Sequence, residues 1–501
     1  MLNFDHVNLR TRSTTPLSQS LRRNCQTDVV SYPEYLGEPA ELPGRAERAR
    51  PRSIREYRHA EWLAVTAVCL GAVMSQIDNG VITVAYPTLV EKLHRPLSEV
   101  VWIGLAPFVV MVATLLLFGR RADTLGRKRV YVDGFIIFLV GAVAATLSAH
   151  HFVILLVARS VSALGIAMVQ ANSVALITAS VKEHQRTTAL GIQAASQAIG
   201  LAIGPFVGGL LIGHIPWRFI FLMSAPIAFA ALVASVLFLP RTRVVAPKAP
   251  LDVLGSVVLA TAAAGILGGM TLAAKIGWNG PTLGFIAIGI SATMALFPIE
   301  RRAKAPIFLP RLFRMIEVRF SIALLVLTYI SFFGLLVTVP FFVKRDFGAS
   351  IVHASEATMA IPIGLALMAP LSGRIRRRLS SGLVQQISMA TIALSLVGIS
   401  VAPNGKIVAG LLVLIGLAIG AANTTNNSLV MEGVHLEDRG LASGTLNLAR
   451  AAGSAIGMAL ATSAMVILEH NHATSNRVAI ATLIVPAAIA VLVAIRSARR
   501  P

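Results

Sequence analysis

The sequence predicts an all-α membrane protein of fourteen spanning helices, arranged as two six-helix halves with two helices inserted between them. Three observations carry that prediction. Of 501 residues, 55% are apolar and only 13% are charged, whereas a water-soluble chain carries about a quarter charged residues. Many apolar runs, such as LGSVVLATAAAGILGGMTLAA (254–274), reach the roughly 20 residues a helix needs to cross a hydrocarbon core about 30 Å thick. That run does not alternate apolar with polar as the segments of about ten residues in a membrane barrel do. Finally, two separate features recur at one long period, which divides the chain in two.

Residues 1–60 are polar, rich in Arg and Pro, and lack the apolar run of a secretory signal. They read as a disordered cytoplasmic tail. Spans are expected near 62–86, 98–118, 130–149, 152–180, 187–213, 217–239, 254–274, 282–299, 320–343, 356–373, 384–402, 407–430, 440–468 and 478–495. An even number of spans puts both termini on one side. Lys and Arg concentrate in the loops after the even-numbered spans, so that side is the cytoplasm and the expected location is the inner (plasma) membrane. The expected division is a tail (1–60), an N-terminal six-helix bundle (61–240), two inserted linker helices (241–300), a C-terminal six-helix bundle (301–496) and a short cytoplasmic end (497–501).

The loop after span 2 reads GRRADTLGRKR (119–129) and the loop after span 10 reads GRIRRRLSSG (373–382), placing Gly119 and Gly373 254 residues apart. Span 5 carries Gly191, Gly200 and Gly204, and span 13 carries Gly444, Gly453 and Gly457 with the same spacings at an offset of 253. The shared period makes spans 1–6 and 9–14 two parallel repeats, an arrangement that faces two bundles across a central cavity in one large transporter class.

Other function classes lack their residues. The net charge of +21 would suit nucleic acid only on a folded domain bearing a basic stripe, and no such domain is left over. Cys25 and Cys69 do not make a disulfide framework. His470 and His472 lack a third ligand at metal-binding spacing, so no metal site is expected. No phosphate-cradling Gly-Lys-Ser/Thr run appears, which argues against ATP drive. No nucleophile, base and oxyanion donor group within the spans, so neither an enzyme nor a cofactor is expected.

Three motifs carry a resemblance. The loop GRRADTLGRKR resembles the signature between helices 2 and 3 of the major facilitator superfamily at Gly119, Asp123, Gly126, Arg127 and Lys128, and departs at Arg121 and Thr124. A loop that only fixed topology would need Lys and Arg, not glycines at set places and one Asp. A carboxylate beside a helix end and a ring of cations can latch two bundles at their cytoplasmic ends. GIQAASQAIGLAIGPFVGG (191–209) looks like the antiporter motif of that superfamily at Gly191, Gly200, Gly204, Pro205, Gly208 and Gly209. Small residues permit close helix approach and proline bends the helix, and the resemblance implies a hinge that seals the cavity against proton leak. Span 13 has Met458 where Pro205 would fall. QIDNGVITVAYP (76–87) resembles the first helix of the fourteen-span drug/proton antiporters at Asp78, Val84, Ala85 and Pro87, with Thr83 in place of Asn.

Asp78 is the only acid deep in any span, and a carboxylate there costs several kcal/mol and marks an ion or substrate path. Arg159, in VARSVSALGIA (157–167), lies at a matching depth in span 4. The two are expected to form a switchable pair, and the resemblance implies that this arginine assists proton transfer. In GTLNLARAAGSAIG (444–457), Asn447 and Arg450 sit inside span 13, where Arg450 contacts substrate or holds the bundle shut. Gln170, Asn172, Asn423, Asn426 and Asn427 line a cavity or bond across helices. Trp102, WRFIFLMSAP (217–226) and DVLG (252–255) also look like the fourteen-span branch. The resemblance implies a monomeric multidrug efflux antiporter that exchanges lipophilic or cationic small molecules for protons. Export of one metabolite or anion is the alternative within transport, and a transport-inactive receptor or scaffold is the alternative outside it.

Overall fold

The computed structural model describes residues 51, 54, 57, 59–212, 214–242, 253–302, 315–348, 351–432, 439–470 and 477–498. The tail through residue 50 with its Cys25, as well as Asp252, His472 and residues 499–501, lies outside them. Among the described residues fourteen helical elements follow one another without a strand: α1 (Ala60–Leu93), α2 (Leu97–Leu125), α3 (Arg127–Leu147), α4 (Phe152–Ser180), α5 (Arg186–Ile212), α6 (Trp217–Phe238) and α7 (Val253–Ile276), then α8 (Gly280–Arg302), α9 (Ile316–Asp346), α10 (Ile351–Arg378), α11 (Ser381–Val401), α12 (Gly405–Glu432), α13 (Arg439–His470) and α14 (Arg477–Ser497). Each expected interval falls on one of these elements to within a few residues. Twelve are long and apolar enough to cross a membrane; the others are α8, whose apolar part is Gly280–Leu296, and α10, which ends in an arginine run.

Local chemistry explains the breaks. His94 takes a left-handed backbone (φ 51°) at the end of α1, and Pro96 precedes α2 in extended geometry. Gly126 joins α2 to α3 at φ 96°, a conformation costly for residues with a Cβ. The outer surface is apolar: Ile136, Val140, Val143 and Leu147 form an exposed stripe along α3, and Leu383, Ile387, Leu394 and Val401 another along α11. Exposed apolar area on that scale belongs against lipid rather than water.

The packing repeats itself. In the first half α1 lies on α5 and α6, and α4 on α2 and α3; in the second, α9 lies on α13 and α14, and α12 on α10 and α11. The halves meet where α2 crosses α13 and α5 crosses α10, and the α7–α8 pair docks on the α2–α13 seam through α7. At the end of the bundle opposite the GRRADTLGRKR loop, Lys344 of α9 pairs with Glu91 of α1 at 2.8 Å, and Lys275 of α7 pairs with Glu99 of α2 at 2.8 Å.

Glycine sets the closest seams. A Cβ added to Gly200 would stand 2.6 Å from the Val73 carbonyl oxygen, one on Gly204 would stand 2.9 Å from the Gly80 Cα, and one on Gly208 would stand 3.3 Å from the Val81 Cα. The antiporter-like glycines therefore form the face of α5 against which α1 rests. Gly453 and Gly457 do the same for α13 against Val326, Tyr329 and Ile330 of α9. Gly191, by contrast, has open space around it. Gly204→Ala is expected to cost about 1–3 kcal/mol, the usual range for overpacking, while Gly191→Ala is neutral or slightly stabilising; thermal unfolding of the purified variants checks both.

Candidate functional site

Asp78 and Arg159 meet inside the first half, as the matched depths of their helices predict. Arg159 Nη1 donates to Asp78 Oδ1 at 3.0 Å and Nη2 to Oδ2 at 2.8 Å, with the two side chains 2% and 4% exposed. This bidentate fork fixes both groups in plane and adds geometric specificity to charge. Ser224, in the break between the 3₁₀ start of α6 and its α-helical part, donates to Asp78 Oδ1 at 3.4 Å. The Phe221 ring lies 5.9 Å from the guanidinium carbon, within range of a cation–π contact.

The α1 backbone at this point is set by α5. The carbonyl of Ile77, the residue before Asp78, lies 3.0 Å from where a Gly204 Cβ would be, and Gly80 faces the Pro205 ring. The Gly204–Pro205 segment of α5 thus bears directly on the helix segment that carries the carboxylate. Thr83 turns inward on itself, donating to the Gly80 carbonyl at 2.7 Å.

Beside the pair lies a small space of about 10 Å³ between the halves, lined by Asn79, Tyr86, Arg159 and, from α2, α9 and α13, by Phe108, Phe333 and Met458. That is room for about one water molecule. Tyr86 Oη and Arg159 Nε, both buried, have no hydrogen-bond partner. Tyr86, Phe221 and Ser224 were not singled out by sequence. The Pro216 and Pro226 that flank the broken start of α6 are the signal that a chain reversal there aims polar groups at α1.

In the signature loop, Asp123 accepts from Arg127 Nε and Nη2 at 3.1 and 3.0 Å, one turn away. Lys128 is 3% exposed and donates from Nζ to the Val236 and Leu239 carbonyls at 3.0 and 2.7 Å, capping α6 within the first half. A cation at a helix C-terminus satisfies carbonyls that have no partner in the helix and opposes the dipole. Gly119 has open space around it.

The remaining polar residues separate into groups. Arg450 donates to Asn447, Asn427 and Asn423. Asn426 accepts from Gln385 at 2.7 Å in the α11–α12 contact instead. Asn172 bonds back to the Met168 carbonyl of its own helix at 2.8 Å. Gln170, eleven residues along α4 from Arg159, is half-buried and shares its helix face. Among the described residues no cluster of three or more His, Cys, Asp or Glu side chains is placed to hold a metal.

Comparison with known proteins agrees with this architecture. The profile of the Major Facilitator Superfamily matches residues 68–252 and 253–458. The chain is 28% identical to the tetracenomycin C resistance and export protein of Streptomyces glaucescens over 84% of its length and 77% of that protein's. It is 28% identical to the methylenomycin A resistance protein of Streptomyces coelicolor, covering 84% and 87%. It is 25% identical to a riboflavin transporter of Clostridioides difficile, covering 80% and 87%. The human organic anion transporter MFSD10 (TETRAN) shares the fold with a TM-score of 0.58 at 17% identity, covering 86% of this chain and 99% of that one.

The buried pair makes a quantitative prediction. Removing one partner leaves the other charge uncompensated, at a cost of roughly 3–5 kcal/mol. Asp78→Asn and Arg159→Gln are each expected to lower the unfolding temperature clearly, and the double variant to regain much of the loss. A double variant as unstable as the sum of the two singles would show that the side chains are not coupled.

Proposed function

The chain belongs to the Major Facilitator Superfamily and is a multi-pass membrane transport protein rather than an enzyme, and from that premise we propose that it exports small molecules in exchange for protons. The observation that carries the proposal is the Asp78–Arg159 fork, out of water and beside the junction of the halves. A buried carboxylate held by one arginine has two ways to be neutralised: the guanidinium or a proton. Protonation of Asp78 removes the charge that holds Arg159 and frees the guanidinium to turn toward the space lined by Tyr86 and Phe333. Release of the proton restores the fork. A passenger that competes for either group shifts the same equilibrium, which is the coupling an exchanger needs.

Alternating access uses the seams already described. The Lys344–Glu91 pair ties the two halves at the end away from the signature loop. That end faces the cell exterior in this reading, with both termini in the cytoplasm and the protein a monomer in the inner membrane. The α5 segment at Pro205, packed on Gly80, passes a rocking movement of the halves to the segment bearing Asp78. All fourteen helices cross the bilayer in this proposal, because α10 holds the place in the second half that α2 holds in the first, and α8 pairs with α7. The resistance and export activities in the names of two relatives support efflux, and the proposal includes lipophilic cargo and membership of the fourteen-span drug/proton antiporter branch.

The test is substrate-dependent proton release from everted membrane vesicles, with the gradient collapsed by an ionophore as control. Asp78→Asn is expected to lower coupled flux at least about tenfold, the scale set by losing a charge-assisted interaction, with flux expressed per amount of folded protein in the vesicles. Coupled flux unchanged in that variant would remove the mechanism.

A further inference from the structure

The two arginines inside the spans are in opposite electrostatic situations. Arg159 is neutralised by Asp78. Among the described residues Arg450 has no carboxylate partner: Nη1 donates to Asn447 Oδ1 at 2.6 Å, Nη2 donates to Asn427 Oδ1 at 2.5 Å and to Asn423 Oδ1 at 3.2 Å, and Nε is buried without a partner. Three amide oxygens solvate the cation but leave its full charge in place. An uncompensated charge within a membrane bundle is costly and is kept where it meets an ion or a substrate.

The site faces inward. The side of α13 bearing Gly444 and Met458 meets Leu116 and Gly104 of α2, and the side bearing Gly453 and Gly457 meets α9. The opposite flank reaches α7, where Ser463 donates to the Met270 carbonyl at 2.9 Å. On the helical wheel Arg450 and Asn447 occupy the arc between the α2 and α9 contacts, toward the middle of the molecule. Arg450, Asn423, Asn427 and Asn447 are all half-buried, so the cluster is reachable. It lies eight residues, about 12 Å, along α13 from Met458 and so from the small central space, toward the signature-loop end.

We propose that Arg450, with Asn423, Asn427 and Asn447, is an anion subsite that receives the carboxylate or phenolate of the transported molecule. The bond to Asn423 is the longest of the three. An entering carboxylate displaces it and takes the Nε and Nη2 edge as a bidentate pair, the geometry for which guanidinium is suited. Asn423 and Asn427 then rotate their amides so that Nδ2 donates to the anion, a change of role open to an amide and not to a carboxylate. Substrates with an acidic group on an apolar body are thereby selected. The inference rests on the reading that cargo passes between the halves, but the binding it requires does not depend on proton coupling.

The test is equilibrium binding to the purified full-length protein of two matched fluorescent probes, 9-anthracenecarboxylate and 9-(aminomethyl)anthracene, without a proton gradient. The wild type is expected to prefer the carboxylate. Arg450→Gln should weaken the carboxylate about tenfold or more and leave the amine unchanged or tighter, and Arg450→Lys, which keeps the charge but loses the fork, should fall between. If the wild type prefers the amine, or if Arg450→Gln binds the carboxylate as well as the wild type does, the proposal is overturned. Repeating the measurement in nanodiscs of phosphatidylcholine and of phosphatidylglycerol separates the sources of anion. Carboxylate binding that is equal in both supports a small-molecule site, and carboxylate binding abolished by phosphatidylglycerol would assign the site to a lipid headgroup and overturn it. Because Asp78→Asn keeps Arg450, unchanged coupled flux in that variant sinks the proton-coupling reading alone, and carboxylate binding unaffected by Arg450→Gln sinks the anion subsite alone.

Discussion

A carboxylate and a guanidinium held together away from water are the interaction on which the rest of this molecule depends. Neither charge is tolerable there alone, and the pair is tolerable only because the fork satisfies both oxygens in one plane. That requirement fixes the distance between α1 and α4. Ser224 then brings the broken start of α6 against the same carboxylate, and the α5 glycines press α1 into place from the other side. Four helices of one half are thus organised around two side chains.

The two halves share a frame but not their charges. With the offset of 253, Asp78 corresponds to Ser331 and Arg159 to Leu412, both buried, while Arg450 corresponds to Gln197. The first half carries a pair of compensated charges, and the second carries Arg450, held by amides, on its fifth helix. Pro205 likewise has Met458 as its counterpart. The repeat therefore supplies symmetry of packing without symmetry of charge.

The fold was legible because lipid imposes a simple rule, long apolar runs closed by charged loops, and because the glycine period survives where packing demands it. The meeting of Asp78 with Arg159 could be read from depth alone, since helices advance by a constant rise. What surrounds the pair could not. Tyr86 and Phe221 are ordinary apolar-looking positions in sequence, and only the crossing of α1 with α2 and the break in α6 bring them to the site. The signature loop shows the other limit. Its charges were readable, but not that Asp123 pairs with Arg127 across the break at Gly126, nor that Lys128 turns inward to α6, where carbonyls at the helix end lack partners within the helix. The three amides around Arg450 were visible as polar residues in spans, yet nothing in their spacing distinguished Asn423 and Asn427, which face α13, from Asn426, which faces α11.

The ion pairs that tie the bundle at one end are of a different kind from the buried fork. Glu91 and Lys344 are 62% and 45% exposed, and a pair so wetted contributes roughly 1 kcal/mol or less and is screened over about 8 Å in physiological salt. The firm closure at that end comes from Tyr86, Phe108, Phe333 and Met458 below it. The clasp above them answers to the electrolyte that bathes it: dilute surroundings draw the rim together and brine slackens it, while the interior, where no counter-ion reaches, keeps its own balance.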